Sequence, residues 1–224
     1  MHILHIYKDY APVLGGIENH IKVLAAGLAR AGHRVTVLVT NTTPVTEISP
    51  QDGATIIKAG RRLHLASTPL SVDMLRQAQR LRDVDVVHLH FPYPPGDLVA
   101  QQVPHHPPLV ITYHSDIVRQ QQMLRVYGPL LRHTLARAAR ILVTSDRYAT
   151  SSRWLHPHRD RCTVVPLSVD ADRFVAPDAA AVAALRSRYP GPVLLFVGRL
   201  RYYKGLHFLL DALRDLRSPA RLLL

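Results

Sequence analysis

Short apolar runs alternate along the chain with longer segments in which apolar residues recur every three or four positions. The runs have the length of β-strands, and the segments have the period of amphipathic helices. Runs between residues 84 and 144 are apolar almost throughout, which is typical of strands buried on both faces. The pattern predicts an α/β fold, a Rossmann-like parallel sheet with helices on both faces. The predicted strands are His2–Tyr7, Arg34–Thr40, Ala54–Ala59, Val84–His90, Leu109–His114, Arg140–Thr144, Thr163–Pro166, Val193–Val197 and Arg221–Leu224.

The predicted helices fill the intervals between these strands. The Gly128–Pro129 pair is expected to break one long helical pattern into two helices, because proline lacks the backbone N–H that a helix interior needs. The predicted helices are Ile17–Ala31, Ser71–Leu81, Asp116–Tyr127, Pro129–Ala139, Arg147–Leu155, Asp178–Arg188 and Lys204–Leu216.

A change of pattern near residue 168 predicts two domains. Residues 1–168 contain the first parallel sheet, residues 169–192 are a linker around a short helix, and residues 193–224 begin a second Rossmann-like domain. That last segment has only about two strands and one helix, which is too little to bury a core of its own. We therefore expect the chain to be truncated within its second domain.

Charge and composition narrow the class of partner. The 224 residues include 28 Lys and Arg against 16 Asp and Glu, a formal net charge of +12, which favours anionic partners. The single cysteine, Cys162, excludes an internal disulfide framework. The sequence has no signal peptide and no spanning apolar run, so we expect a cytoplasmic protein. Nucleic acid is a disfavoured partner, because the sequence lacks DNA- and RNA-binding motifs and has only 6% aromatic residues.

Two loops could bind phosphate. Gly15 and Gly16 directly precede a predicted helix, whose unpaired amides favour anions, although a tight turn also explains them. Gly198 ends a predicted strand, and Arg199 and Lys204 follow it before the next helix, a pairing suited to a diphosphate leaving group. Solvated surface cations are the alternative interpretation of that second loop.

The strongest candidate for contact with a substrate lies at the end of the fifth predicted strand. Open parallel sheets bind ligands at the carboxyl ends of their strands, where His114, Ser115 and Asp116 lie. A helix N-cap would equally explain Ser115 or Asp116. His114 can form a hydrogen bond with a phosphate or a sugar hydroxyl at neutral pH.

We expect no metal site. The Asp83–Asp85 pair begins a strand at the end of the sheet opposite the ligand crevice, and the Asp170–Asp172 pair lies in the linker. His88 and His90 share one face of a strand, but no further ligands occur at a zinc-like spacing.

Basic residues between positions 116 and 140 fall on one side of a helical wheel, opposite Leu124, Leu131 and Leu135. Such a face could hold the protein reversibly on an anionic membrane surface. A merely solvated face is the alternative. The basic residues are Arg119, Arg125, Arg132, His133, Arg137 and Arg140.

Five motifs in this order resemble the family 4 glycosyltransferases of the GT-B fold. The resemblance covers nearly the whole chain and implies an N-terminal GT-B domain followed by the start of a nucleotide-sugar-binding domain. The motifs are Gly15-Gly-Ile-Glu18, Asp85-Val-Val-His-Leu-His90, Tyr113-His-Ser-Asp116, Val165-Pro-Leu-Ser-Val-Asp170 with Arg173–Phe174, and Gly198-Arg-Leu followed by Lys204–Gly205.

The resemblance implies a retaining transfer of a sugar from a nucleotide-diphosphate donor to a lipid-linked or saccharide acceptor in envelope or exopolysaccharide biosynthesis, without a metal cofactor. It places Gly16 in the diphosphate loop and His114 near the reacting sugar. It also places Arg199 and Lys204 at the departing diphosphate.

The chain departs from the family pattern in one respect. The Glu-x₇-Glu motif of the family's second domain is absent, since Glu18 and Glu47 are the only glutamates. Two hypotheses follow. The first is a glycosyltransferase that is inactive as this fragment, and the second is a non-catalytic module that binds an acceptor or a membrane.

Overall fold

The computed structural model describes residues 1–65, 68–117, 121–167, 175–198 and 200–224. The chain forms two units, residues 1–168 and residues 169–224. Several residues singled out by the sequence lie outside the described residues. They are Arg119, Asp170, Asp172, Arg173, Phe174 and Arg199.

An eight-stranded sheet is the centre of the first unit. All of its predicted strands are present, and each end lies within two residues of its predicted position. The strands are β1 (His2–Ile6), β2 (Arg34–Thr40), β3 (Glu47–Gln51), β4 (Ala54–Ala59), β7 (Val86–Phe91), β8 (Leu109–Tyr113), β9 (Ala138–Val143) and β10 (Cys162–Val164), and the short strands β5 (Leu63–Leu65) and β6 (Thr68–Leu70) pair separately.

The strand order is β10-β9-β8-β7-β1-β2-β4-β3, with every pair parallel except β3 and β4. The chain builds outward from β1 to β2 and β4, and then returns to the other side of β1 to add β7. The carboxyl ends of β1 and β7 therefore flank the switch point at which open α/β sheets bind ligands. The predicted α/β class is confirmed.

Helices flank this sheet in the first unit. Met74 and Ala78 lie on α2 and are fully buried. Ser71 is the N-cap of this helix, and its side chain accepts a hydrogen bond from the backbone amide of Met74. The helices are α1 (Gly16–Arg30), α2 (Val72–Arg80), α3 (Pro94–Gln101), α4 (Gln121–Arg137) and α5 (Asp146–Ser151), with a 3₁₀ segment at His156–Arg161.

The predicted break at Gly128–Pro129 is wrong, because α4 continues through Pro129. Proline inside a helix costs about 3 kcal/mol. The buried stripe of Leu124, Tyr127, Leu131 and Leu135 runs across the proline on one helix face. Burial of each large apolar side chain contributes about 1.5–3 kcal/mol, so packing outweighs the cost of the proline.

Several described elements of the first unit were not predicted. β3 is an exposed edge strand that contains Pro50, a residue that usually signals a loop. α3 begins with Pro94 and Pro95, and its eight residues are too few to show a clear helical period in the sequence. The others are the β5–β6 hairpin and the 3₁₀ segment at His156–Arg161.

The second unit is small. Its elements are α6 (Ala179–Arg188), β11 (Val193–Leu195), a 3₁₀ turn (Tyr202–Lys204), α7 (Leu206–Arg214) and β12 (Arg221–Leu223). β11 and β12 pair in parallel, as in a Rossmann-like unit. No residue described between 175 and 224 is buried, and Val197 and Phe208 are largely exposed. The domain boundaries proposed from the sequence stay predictions.

Asp97 is a buried acid in α3 beneath α4. Its side chain is 1% exposed, and its Oδ2 accepts a hydrogen bond from the Tyr127 hydroxyl. Burial raises the pKa of Asp97 to about 7. An unfolded aspartate titrates near about 4. At pH values between these two pKa values, the carboxyl of the folded chain is still protonated, whereas that of the unfolded chain has released its proton. The free energy of unfolding therefore falls as the pH rises toward 7.

We expect Asp97→Asn to remove that part of the pH dependence, because the amide does not ionise. From about pH 5.5 to about pH 7.5, the free energy of unfolding of the wild-type chain should fall by about 2 kcal/mol more than that of the variant. Urea unfolding at the two pH values measures the difference. Equal changes in the two proteins would contradict a raised pKa at Asp97.

Candidate active site

A cluster of five histidines lies at the switch point of the sheet. His5 is on β1, His20 is on α1, His88 and His90 are on β7, and His114 directly follows β8. Parallel pairing places His5 opposite His88. The side chains of His5, His88 and His90 are buried, whereas those of His20 and His114 are half-buried. The cluster therefore runs from the core to the surface at the carboxyl edge of the sheet.

Direct contacts between ring nitrogens join three of these side chains into a row. The Nδ1 atom of His5 is 3.1 Å from Nε2 of His90, and Nδ1 of His90 is 3.2 Å from Nε2 of His114. His88 lies beside the row, with its ring centroid 4.4 Å from that of His90 and its Nε2 bonded to the Thr112 hydroxyl at 2.7 Å. The row fixes the ring of His114 through Nε2.

Burial keeps these imidazoles neutral at pH 7. Desolvation, with a smaller contribution from the charge of His20, lowers the pKa of His5 to about 3 and that of His114 to about 4. Desolvation, followed by the neighbouring histidines, lowers the pKa values of His88 and His90 well below the usual range. A neutral imidazole can donate from one nitrogen and accept at the other.

Two atoms of the row have no hydrogen-bond partner within the described structure although both are buried. They are Nε2 of His5 and Nδ1 of His114, at opposite ends of the row. An unpartnered buried polar atom is costly and calls for a reason. At His114, which is half-buried at the edge of the sheet, a bound substrate would supply the missing partner.

His114 was predicted as a site residue from its place after β8, but its four histidine neighbours were not. The sequence did show that His88 and His90 share one face of a strand. His5 and His20 lie some 70 to 85 positions away along the chain from them, so no close ligand spacing in the sequence indicates that they belong to the same site. The pairing of β1 with β7 brings His5 into the cluster.

Asp116 has a structural role beside this site. Its Oδ1 accepts hydrogen bonds from the Tyr113 hydroxyl and from Ser152 Oγ, both at 2.8 Å. The predicted helix start at Asp116 is wrong, because α4 begins at Gln121 and residues 114–117 are not helical. Ser115 is exposed beside Asp116. The carboxylate therefore fixes the loop that carries His114.

The Gly15–Gly16 loop leads directly into α1. Gly15 is the N-cap of α1 and provides no side-chain hydrogen bond to the helix amides. The carboxylate of Glu18 lies against Gly15, so closely that a Cβ atom there would overlap it. At Gly16 a Cβ atom would meet nothing within 4 Å. The first turn of α1 thus contains open space at Gly16 and already has one negative charge near its positive end.

In the second unit, Gly198 and Lys204 lie together. The Cε atom of Lys204 is 4.0 Å from the place where a Cβ atom would lie on Gly198. Gly205 follows with a φ of 69°, a left-handed conformation that favours glycine, and α7 begins at the next residue. The ammonium group of Lys204 is thus exposed near the positive end of a helix.

The carboxylates of Asp83 and Asp85 both have partners within the protein. Asp83 forms an ion pair with Arg34, whose hydrogen bond lowers the pKa of Asp83. Asp85 Oδ2 accepts from the backbone N–H of His2 at 2.6 Å. Both carboxylates lie at the amino end of the sheet, as predicted, and they tie β1 and β2 to the start of β7.

The predicted basic face is in part a surface of α4. Arg125, Arg132 and Arg137 are exposed on α4, whereas Arg140 belongs to β9. The guanidinium of Arg132 lies 5.9 Å from the ring centroid of Trp154, beside a groove of about 780 Å³. Among the described helices, none combines the length and the apolar character needed to cross a membrane.

Comparison with known proteins decides the family. The sequence profile described as Glycosyltransferase Family 4 matches residues 14–173. The chain belongs to glycosyltransferase family 4. This match includes both the Gly15–Gly16 loop and His114.

Two curated relatives of this chain come from bacteria. The chain is 37% identical over 221 residues to the D-rhamnosyltransferase WbpZ of Pseudomonas aeruginosa, a match that covers 98% of this chain and 58% of the relative. It is 35% identical over 221 residues to the O-antigen chain mannosyltransferase C of Escherichia coli, covering 98% of this chain and 59% of the relative. The chain therefore spans less than two thirds of the length of these relatives.

Solved structures confirm the Rossmann-like GT-B fold. Sucrose-phosphate synthase from Thermosynechococcus elongatus superposes with a TM-score of 0.77 at 20% identity, over 99% of this chain and 61% of that one. Anabaena HepE in complex with UDP-glucose superposes with a TM-score of 0.69 at 16% identity, over 99% of this chain and 59% of that one. At such identities the likeness concerns the fold alone.

Proposed function

We propose that this family 4 chain belongs to a retaining glycosyltransferase that moves a sugar from a nucleotide-diphosphate donor to a lipid-linked or saccharide acceptor in envelope or exopolysaccharide biosynthesis. The relatives named for D-rhamnose transfer and for mannose transfer to O-antigen support this assignment. The observation that carries it is His114, a half-buried neutral imidazole at the switch point whose Nδ1 has no partner within the described residues.

His114 would contact the reacting sugar through this free nitrogen. Its other nitrogen is fixed by His90, so the ring is oriented before the substrate arrives. A group that needs no reorientation during the reaction stabilises the transition state more effectively than a mobile one. The loop behind the ring is held by the hydrogen bonds of Asp116.

The leaving diphosphate would be stabilised by positive charge. Lys204 supplies an exposed ammonium beside Gly198 and the start of α7, and Arg199 follows Gly198 in the sequence. As the bond between the sugar and the diphosphate breaks, negative charge accumulates on the diphosphate, and these cations would neutralise it without a metal. Within the first unit, the open space at Gly16 would by itself admit a phosphate oxygen near the first turn of α1. Bound UDP-glucose in the structure of HepE supports a nucleotide-sugar donor.

The anomeric configuration of the product tests the retaining mechanism. We expect the complete gene product to form a glycosidic bond with the configuration of the donor, in the presence of a chelator as in its absence. NMR spectroscopy of the isolated glycan measures the configuration. An inverted product would contradict the retaining assignment, and a rate that is lost with the chelator would contradict a metal-free reaction.

We further propose that the exposed basic face of α4 holds the protein at the inner face of an anionic membrane, where a lipid-linked acceptor would be reached. Three arginines and the neighbouring Trp154 supply the combination of charge and amphipathic ring found at such surfaces. Each cation near an anionic leaflet contributes about 1 kcal/mol.

We expect the triple variant Arg125→Glu, Arg132→Glu and Arg137→Glu to bind vesicles of anionic phospholipid at least about 100-fold more weakly than the wild type. Vesicle co-sedimentation at low ionic strength measures this affinity. A triple variant of Arg30, Arg80 and Arg82 to Glu is the matched control, because it removes the same charge from exposed positions elsewhere. Equal losses in the two variants would mean that net charge, and not this face, attracts the membrane.

A further inference from the structure

Three of the clustered histidines place nitrogen atoms around one point. One ring nitrogen each from His20, His90 and His114 lie within 4.8 Å of one another. These side chains come from α1, β7 and the loop after β8, so three separate elements converge. A second trio, His5, His88 and His90, has the same spacing, but it is wholly buried and His88 is already bonded to Thr112.

The spacing suits a tetrahedral transition-metal ion. Zinc binds imidazole nitrogen at about 2.0–2.1 Å, and tetrahedral geometry then separates two ligand nitrogens by about 3.3–3.4 Å. The Nδ1 atom of His90 lies 3.2 Å from Nε2 of His114. The separation of these two nitrogens thus matches that of two ligands of one metal ion, and a nitrogen of His20, within 4.8 Å, would have to move closer on binding.

The surroundings provide the other requirements of a zinc site. A metal-bound histidine usually has its second ring nitrogen held by a neighbour, and Nε2 of His90 is held by Nδ1 of His5 at 3.1 Å. His20 and His114 are half-buried, which leaves a route from solvent to the site. Three imidazoles bind zinc, copper or nickel in preference to magnesium or calcium.

We propose that His20, His90 and His114 form a binding site for Zn²⁺ or a similar divalent transition metal, with His5 supporting His90 and the fourth coordination position open. This site goes beyond the sugar-transfer activity proposed above, which needs no metal. The ion would bind Nε2 of His114 and so replace the contact with His90 that orients the ring of His114 toward the sugar. The site would thus inhibit transfer when transition metal is abundant.

Competition with a chromogenic zinc chelator tests the proposal on the metal-free complete gene product, without any sugar. We expect the wild-type chain to bind one Zn²⁺ with an affinity that His20→Asn and His114→Asn each weaken about 100-fold or more, because each removes a ligand. His20 is half-buried on a helix, so its substitution leaves the core intact. X-ray absorption of the zinc complex should show three imidazole nitrogens on the metal.

The control is the double variant His105→Asn and His106→Asn, which removes an exposed histidine pair outside the cluster. It should bind zinc as the wild type does. Loss of binding in this control, wild-type affinity in His20→Asn, or no binding by the wild type would each overturn the proposal. None of these outcomes bears on sugar transfer, so the metal site and the proposed function can fail separately.

Discussion

Replacing His114 with alanine should slow sugar transfer by the complete gene product about 100- to 1,000-fold, the usual loss when one fixed transition-state contact is removed. The expected loss is large because the ring is pre-oriented by His90 and its Nδ1 has no other partner within the described residues. The effect should fall on kcat more than on the KM for the acceptor, since the contact strengthens as the transition state forms. Initial rates at saturating donor concentration measure it.

His105→Ala is the matched control for this variant. His105 is an exposed histidine in the loop before β8, outside the cluster. Its substitution should leave the rate unchanged, and thermal unfolding of both variants should show that each is folded. A His114→Ala enzyme that transfers sugar as fast as the His105→Ala enzyme would remove His114 from the site.

Lys204→Ala should produce a loss of similar size, about 100- to 1,000-fold in kcat. The ammonium of Lys204 lies beside Gly198 at the start of α7, where a departing diphosphate would be stabilised by both the charge and the helix amides. Stopped reactions analysed for released nucleoside diphosphate measure this rate. Lys204→Arg should retain part of the activity, because arginine keeps the positive charge but replaces the compact ammonium group with a planar guanidinium.

Arg217→Ala is the control for charge in the second unit. Arg217 is exposed after α7, and its substitution lowers the net charge by the same amount as Lys204→Ala. The Arg217→Ala enzyme should be as active as the wild type. If both alanine variants retain full activity, Lys204 has no part in stabilising the diphosphate.

Much of the fold could be predicted from the sequence because its strands are strong signals. β7, β8 and β9 are apolar almost throughout, and the alternation of strands with amphipathic helices predicts a parallel sheet. One error occurs where packing overrides local preference: Pro129 lies inside α4 because the buried stripe continues across it. Another occurs at α3, whose eight residues are too few to show a clear helical period in the sequence.

The candidate site could be predicted only in part. His114 was found because the position after a parallel strand is a general rule for ligand sites. The row of His5, His90 and His114 forms because β1 pairs with β7 and β7 pairs with β8. No local spacing of residues in the sequence indicates this order of the strands in the sheet. His20 joins the cluster only because α1 lies over the switch point.

Transfer of a labelled sugar by the complete gene product is the most direct test of the proposed function. Labelled nucleotide-diphosphate sugars would be incubated with a lipid-linked saccharide acceptor in the presence of a chelator, and the glycan and the released nucleoside diphosphate would be quantified. We predict that one donor labels the acceptor and releases nucleoside diphosphate in equal amount. Binding of the acceptor with no transfer from any donor would contradict the enzyme assignment and leave a non-catalytic binding module.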